Sequence, residues 1–182
     1  MKQPFYTLGH SDRSFAEFAG LLAQAGIGLL ADIRKLPGSR AHPHFAADAL
    51  AGALAGLGIA YEHVAALGGL RGKAAGVPAE VNGLWRNASF HRYADYALSP
   101  AFRDGLAHVV RQARERRCAL MCSEAVWWRC HRRIVADYLI AGGETVFHIM
   151  GKGRLEPARL TPGAVVRADG TIVYPAEHRD GA

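Results

Sequence analysis

The chain has 182 residues, 50% apolar and 21% charged, with 22 Lys plus Arg against 16 Asp plus Glu and a net charge of +6. This is ordinary globular composition, which excludes a disordered tail protein, and a chain of this length buries roughly 70% of its unfolded surface without help from disulfides or a metal. No window approaches 18 uninterrupted apolar residues, so no membrane span is expected.

The start, MKQPFYTLGH, lacks the basic-then-apolar pattern of a secretory signal, and three cysteines is an odd number, so free thiols in a cytoplasmic protein are expected. Phe5 to Leu8 is a short apolar run, read as a strand. Ser14 opens a helix, with Glu17 three positions on to complete a capping box, and Gly26 ends it. Leu29 to Ile33 is a second strand, followed by the polar loop KLPGSRAHPH. Leu50, Leu54 and Leu57 mark a helix closed by Gly58, and Tyr61 to Val64 is a third strand.

The glycine-rich stretch from Leu67 to Ser89 reads as a long loop, and such loops in compact folds are usually functional or mobile. A short helix is expected over Tyr93 to Leu98, and Ser99-Pro100 starts another, carried by Phe102, Leu106, Val109 and Val110. Ala119 to Cys122 is a fourth strand, Cys130 to Ala141 a helix stopped by Gly142-Gly143, and Thr145 to Ile149 a fifth strand. Val165 to Ala168 and Thr171 to Tyr174 flank an Asp169-Gly170 turn as a hairpin.

Apolar strands alternating with helices imply an α/β fold: three Rossmann-like layers, a mainly parallel five-stranded sheet with helices on both faces, and a small C-terminal hairpin. Residues 1–150 form one α/β domain in this reading, and 151–182 a tail packed on it. No GxGxxG or GxxxxGK[ST] motif follows a strand, so no cofactor is expected.

The polar residues gather after the strands: Gly9-His10-Ser11, Asp32 and Arg34, Leu67-Gly68-Gly69-Leu70-Arg71, and Cys122-Ser123-Glu124. Open parallel sheets bind ligands outside the carboxyl ends of their strands. His10, Asp32, Arg71, Cys122 and His131 are therefore expected to converge on one cleft. GHS, D-I-R-x-x-P-x-S from Asp32, L-G-G-x-R from Leu67, Y-A-D-Y from Tyr93, and C-S-E followed by C-H-R from Cys122 to Arg132 together resemble the domain-of-unknown-function family numbered 488. The resemblance runs from about Tyr6 to Met150; it implies one α/β domain and supplies no reaction.

The side chains suggest roles of their own. Cys122 at a strand end is a nucleophile candidate, with His131 or His10 as base, or it simply packs. Asp32 and Glu124 form a candidate acid/base pair; the plainer alternative for Asp32 is a structural pair with Arg34, or orienting Arg34 for an anion, and for Glu124 an ion pair with Arg34 or Arg132. Arg34, Arg71 and Arg132 are candidate anion holders, with Ser11 and Cys130 beside them, and Arg133 is expected to point to solvent. The leading expectation is an enzyme of hydrolysis or group transfer acting on an anionic small molecule, a nucleotide or a nucleic-acid-linked group. A non-catalytic nucleic-acid or nucleotide-binding module is the second reading. A metal-dependent enzyme or sensor using Cys122, Cys130 and His131 is the third.

Overall fold

A computed structural model describes residues 1–177; the end of the expected tail, 178–182, lies outside the described residues. The five expected strands form, as β1 (Phe5–Gly9), β2 (Leu29–Asp32), β3 (Ala60–His63), β4 (Cys118–Cys122) and β5 (Val146–Gly151). All five are parallel, in the order β3-β2-β4-β1-β5. A sixth strand, β6 (Arg154–Pro157), extends the sheet antiparallel to β5. Its four residues are all exposed, so it carries no apolar pattern from which a strand could be read.

Five helices cover the sheet: α1 (Phe15–Gln24), α2 (Ala47–Ala55), α3 (Ala88–Tyr96), α4 (Pro100–Glu115) and α5 (Arg132–Ala141). Ser14 caps α1 by accepting from the Glu17 N–H, and Ser99 caps α4 by accepting from Phe102. Three boundaries differ from expectation. Helix α2 stops before Leu57, which is 55% exposed. Asn87 caps α3 through the Ser89 and Phe90 N–H groups, so that helix starts earlier. Helix α5 begins at Arg132, after Cys130.

Connection direction decides which face each helix takes. The chain steps from β1 out to β2 and on to β3, then returns across β2 to β4 and across β1 to β5. Right-handed crossovers in opposite directions put their helices on opposite faces. Accordingly, α1 and α2 pack Phe18, Leu22, Leu50 and Leu54 against Tyr6, Leu8, Leu30 and Met121. On the other face, Tyr93, Phe102, Val109, Ile134 and Val135 of α3 to α5 cover Phe5, Leu29, Leu120 and Cys122. The loops after β1 and β2 leave toward one layer and the loop after β4 toward the other, which opens a crevice at the carboxyl ends of these adjacent strands.

The expected tail hairpin is present, reduced to β7 (Val165–Val166) and β8 (Ile172–Val173). The tail is tied to α5. Tyr174 donates its hydroxyl to Asp137 at 2.8 Å, the Thr161 N–H donates to the same carboxylate, and the Ile172 N–H donates to the Tyr138 hydroxyl. Among the described residues, no helix is long and apolar enough to cross a membrane.

Candidate functional site

A cavity of about 470 Å³ fills the crevice. His10, Arg34, Cys122, Glu124, Cys130 and His131 all line it, so six of the residues singled out from sequence meet there. Asp32, Ser11, Arg71 and Arg132 do not line it.

Asp32 and Cys122 leave the sheet on opposite faces. Ala31 and Ile33 pack in the same layer as Cys122, so strand alternation turns Asp32 to the other side. There its carboxylate is saturated, accepting from Arg34 Nε (2.9 Å), Arg34 Nη2 (2.7 Å), the Arg34 backbone N–H (3.1 Å) and the Tyr61 hydroxyl (2.5 Å). This buried bidentate fork fixes the guanidinium, and its Nη1 faces His10 Nε2 at 3.4 Å. Asp32 is thus the anchor of Arg34 rather than an acid/base group facing the cavity. Tyr61 was not singled out from sequence, although it follows from alternation: its register partner is Leu30, two residues before Asp32 on the same face.

His10 Nδ1–H donates to the Ser11 carbonyl at 2.8 Å, which leaves Nε2 as an acceptor. Burial holds its pKa below the ordinary histidine value, and its ring stacks on Phe45 at 4.4 Å. Ser11 has a positive φ of 49° and donates its N–H to the Ser123 carbonyl, so it turns the chain rather than reaching the cavity.

The thiol side is built from β4 and the start of α5. Cys122 Sγ and Cys130 Sγ lie 2.7 Å apart, both free and both buried. Cys130 Sγ is 3.5 Å from His131 Nδ1 and accepts from the Arg132 backbone N–H at 3.4 Å. His131 Nε2 lies 2.8 Å from the Ile33 carbonyl, an acceptor, so Nε2 carries the ring proton and Nδ1 is free to take one from Cys130. Burial lowers the His131 pKa and keeps the ring neutral. Burial also pushes both thiols up, but at Cys130 the Cys122 S–H and the Arg132 cation and N–H more than offset it, so its pKa falls below the usual thiol value. Cys122 moves the other way, well above that value, because it is buried and donates to its partner. The more acidic thiol is therefore Cys130, where the sequence pointed to Cys122.

Arg132 is 1% exposed and lies behind Gly9; its Nε and Nη1 have no hydrogen-bond partner among the described residues. Its charge acts on the thiols and helps hold buried His148 at a pKa of about 3, mainly a burial effect. Arg133 is half-buried rather than free in solvent. It donates to Thr161 and lies over the Trp85 and Trp127 rings. Arg71 is likewise occupied, donating to the Gly68 and Ala65 carbonyls and stacking on Tyr96 at 3.8 Å. Glu124 is exposed at the mouth and, among the described residues, pairs with no cation.

The glycines after β3 have steric reasons. A Cβ at Gly68 would meet the Lys35 backbone at 2.9 Å, and one at Gly69 would meet His131 Nδ1 at 3.0 Å. Tyr93 and Tyr96 hold this loop by donating to the Leu67 and Ala66 carbonyls. The sequence motifs thus converge on one loop system around one cavity. A family model described as Domain of unknown function DUF488 matches residues 14–139. The chain belongs to the DUF488 family. The DUF488 match starts at the cap of α1 and ends inside α5, so the Gly9-His10-Ser11 turn and β5 fall outside it. No curated protein and no solved structure matches the chain. Among the described residues, no three His, Cys, Asp or Glu side chains form a group that could hold a metal ion, the Cys122, Cys130 and His131 trio included.

Proposed function

We propose that this DUF488 protein is a cysteine-dependent enzyme that hydrolyses or transfers a group from an anionic substrate, a nucleotide being the class that suits the cavity. The observation that carries this reading is the Cys130–His131 pair, with the histidine tautomer set by the Ile33 carbonyl. His131 Nδ1 takes the Cys130 proton, and the thiolate attacks the electrophilic centre of the substrate. Arg34, Lys35 and Arg129 line the cavity and offset the substrate's negative charge. Glu124, at the mouth, is the carboxylate in reach of a leaving group or an incoming water. Leu36 and Leu70, each 70% exposed, and Phe90 form an apolar wall suited to the non-ionic part of such a substrate.

The test is a panel of activated phosphoesters and acyl esters, read for turnover and for a covalent adduct by intact-mass spectrometry. His131→Gln is expected to lower turnover by about 10²–10⁴-fold, the usual worth of a positioned base. Cys130→Ser should abolish the adduct, and Cys118→Ser should leave it. Undiminished turnover in Cys130→Ser would overturn the proposal.

A further inference from the structure

Two thiols in contact inside an open cavity can do more than one of them does as a nucleophile. Cys130 is 5% exposed and lines the cavity, so a small oxidant reaches its sulfur. Cys122 lines the same cavity, is 3% exposed, and has its sulfur already against that of Cys130. The third cysteine, Cys118, is fully buried at the start of β4, and burial pushes its pKa to about 12. The chain thus holds two thiols in contact at the cavity, Cys130 the more exposed of them, and one isolated thiol.

We propose that Cys122 and Cys130 form a reversible redox pair that small hydroperoxides oxidise to a disulfide, closing the site. Cys130 gives its proton to His131 Nδ1, and the thiolate attacks the terminal oxygen of the peroxide. The S–O bond forms as the O–O bond breaks, and the departing oxide takes the proton back from His131 and leaves as an alcohol, or as water from hydrogen peroxide. The Cys122 sulfur then attacks the Cys130 sulfenic acid. The S–S bond forms, the S–O bond breaks, and the departing hydroxide takes the Cys122 proton and leaves as water. Two thiols and one hydroperoxide therefore become one disulfide, one alcohol and one water. A dithiol reductant reverses it. Oxidation would occupy the sulfur assigned above as nucleophile, so the inference rests on that reading for its effect on activity but not for its chemistry.

The experiment treats the reduced full-length protein with one equivalent of hydrogen peroxide and counts free thiols under denaturing conditions. The titre should fall from three to about one, with a peptide pair linked through Cys122 and Cys130, and dithiothreitol should restore it. Cys122→Ser should instead yield a Cys130 sulfenic acid trapped by dimedone, and Cys118→Ser should form the disulfide normally. An unchanged titre in the wild-type protein, or a linkage through Cys118, would overturn the inference. These readouts need no substrate. A disulfide that forms while Cys130→Ser keeps full turnover refutes the catalytic role alone. A Cys130 adduct on substrate with no disulfide under peroxide refutes the redox role alone.

Discussion

Replacing Asp32 by Asn tests how Arg34 is held, because it removes one charge and leaves the volume nearly unchanged. Asp32 is fully buried and Arg34 is 6% exposed, so neither charge has water to fall back on. The carboxylate accepts from Arg34 Nε, Arg34 Nη2, the Arg34 backbone and Tyr61. An amide brings one oxygen and one NH₂, and because both carboxylate oxygens accept from Arg34, that NH₂ faces an Arg34 donor in either orientation. Removing one partner of a buried ion pair costs about 3–5 kcal/mol, since the remaining charge is left unmatched. At about 2–4 °C per kcal/mol for a chain of this size, the melting temperature should fall by roughly 6–20 °C. Urea titration should show a lower midpoint with an unchanged slope. The Asp32→Leu, Arg34→Met double variant removes both charges and should lose less than Asp32→Asn alone. A cost under about 1 kcal/mol for Asp32→Asn would refute the argument, because that is how a solvent-screened surface pair behaves.

Gly9→Ala would put a Cβ 1.7 Å from the Glu124 carbonyl oxygen, which is backbone and cannot swing aside, so the loop carrying Glu124 must move. It should cost about 1–3 kcal/mol or more and slow alkylation of Cys130, and a neutral effect on both would show that the close approach is not needed. Acid should destabilise the fold through His148. Its folded pKa of about 3 lies below the ordinary value of 6.5, so the unfolded chain binds the proton first and stability falls as pH drops from about 6.5 toward 3. His10 and His131 shift in the same direction, so His148→Gln should flatten the pH dependence of the urea midpoint without removing it; an identical slope would count against the buried-neutral assignment.

The strands were legible because each of β1, β2 and β4 is buried along its whole length and reads as a mainly apolar run, broken by Thr7 in β1 and ended by Asp32 in β2. Strand order was not, because nothing local says that β4 inserts between β2 and β1. That order, with its register, sends Asp32 and Cys122 to opposite faces, so Asp32 meets the cavity only through Arg34, while His10, Arg34, Cys122 and His131 line it directly. Arg133 is expected in solvent only if the outer side of α5 is wet. The tail covers that side through Thr161 and Tyr174, and α5 is buried from Ile134 to Leu139. The Cys130–His131 geometry also needed the fold, since the Ile33 carbonyl that sets the tautomer is far away in sequence.

The position of β4 has a consequence for synthesis. β1 pairs with β4 and β5, both of which follow it by more than a hundred residues, while β2 and β3 can pair as soon as they emerge. A nascent chain that stops short of Cys118 therefore carries a β2–β3 pair and a β1 with no neighbour, its apolar residues open to chaperones or to other chains. Such late, long-range closure slows folding. The strand that finally joins the two halves of the sheet also delivers Cys122, so a chain interrupted before that step holds no assembled thiol pair.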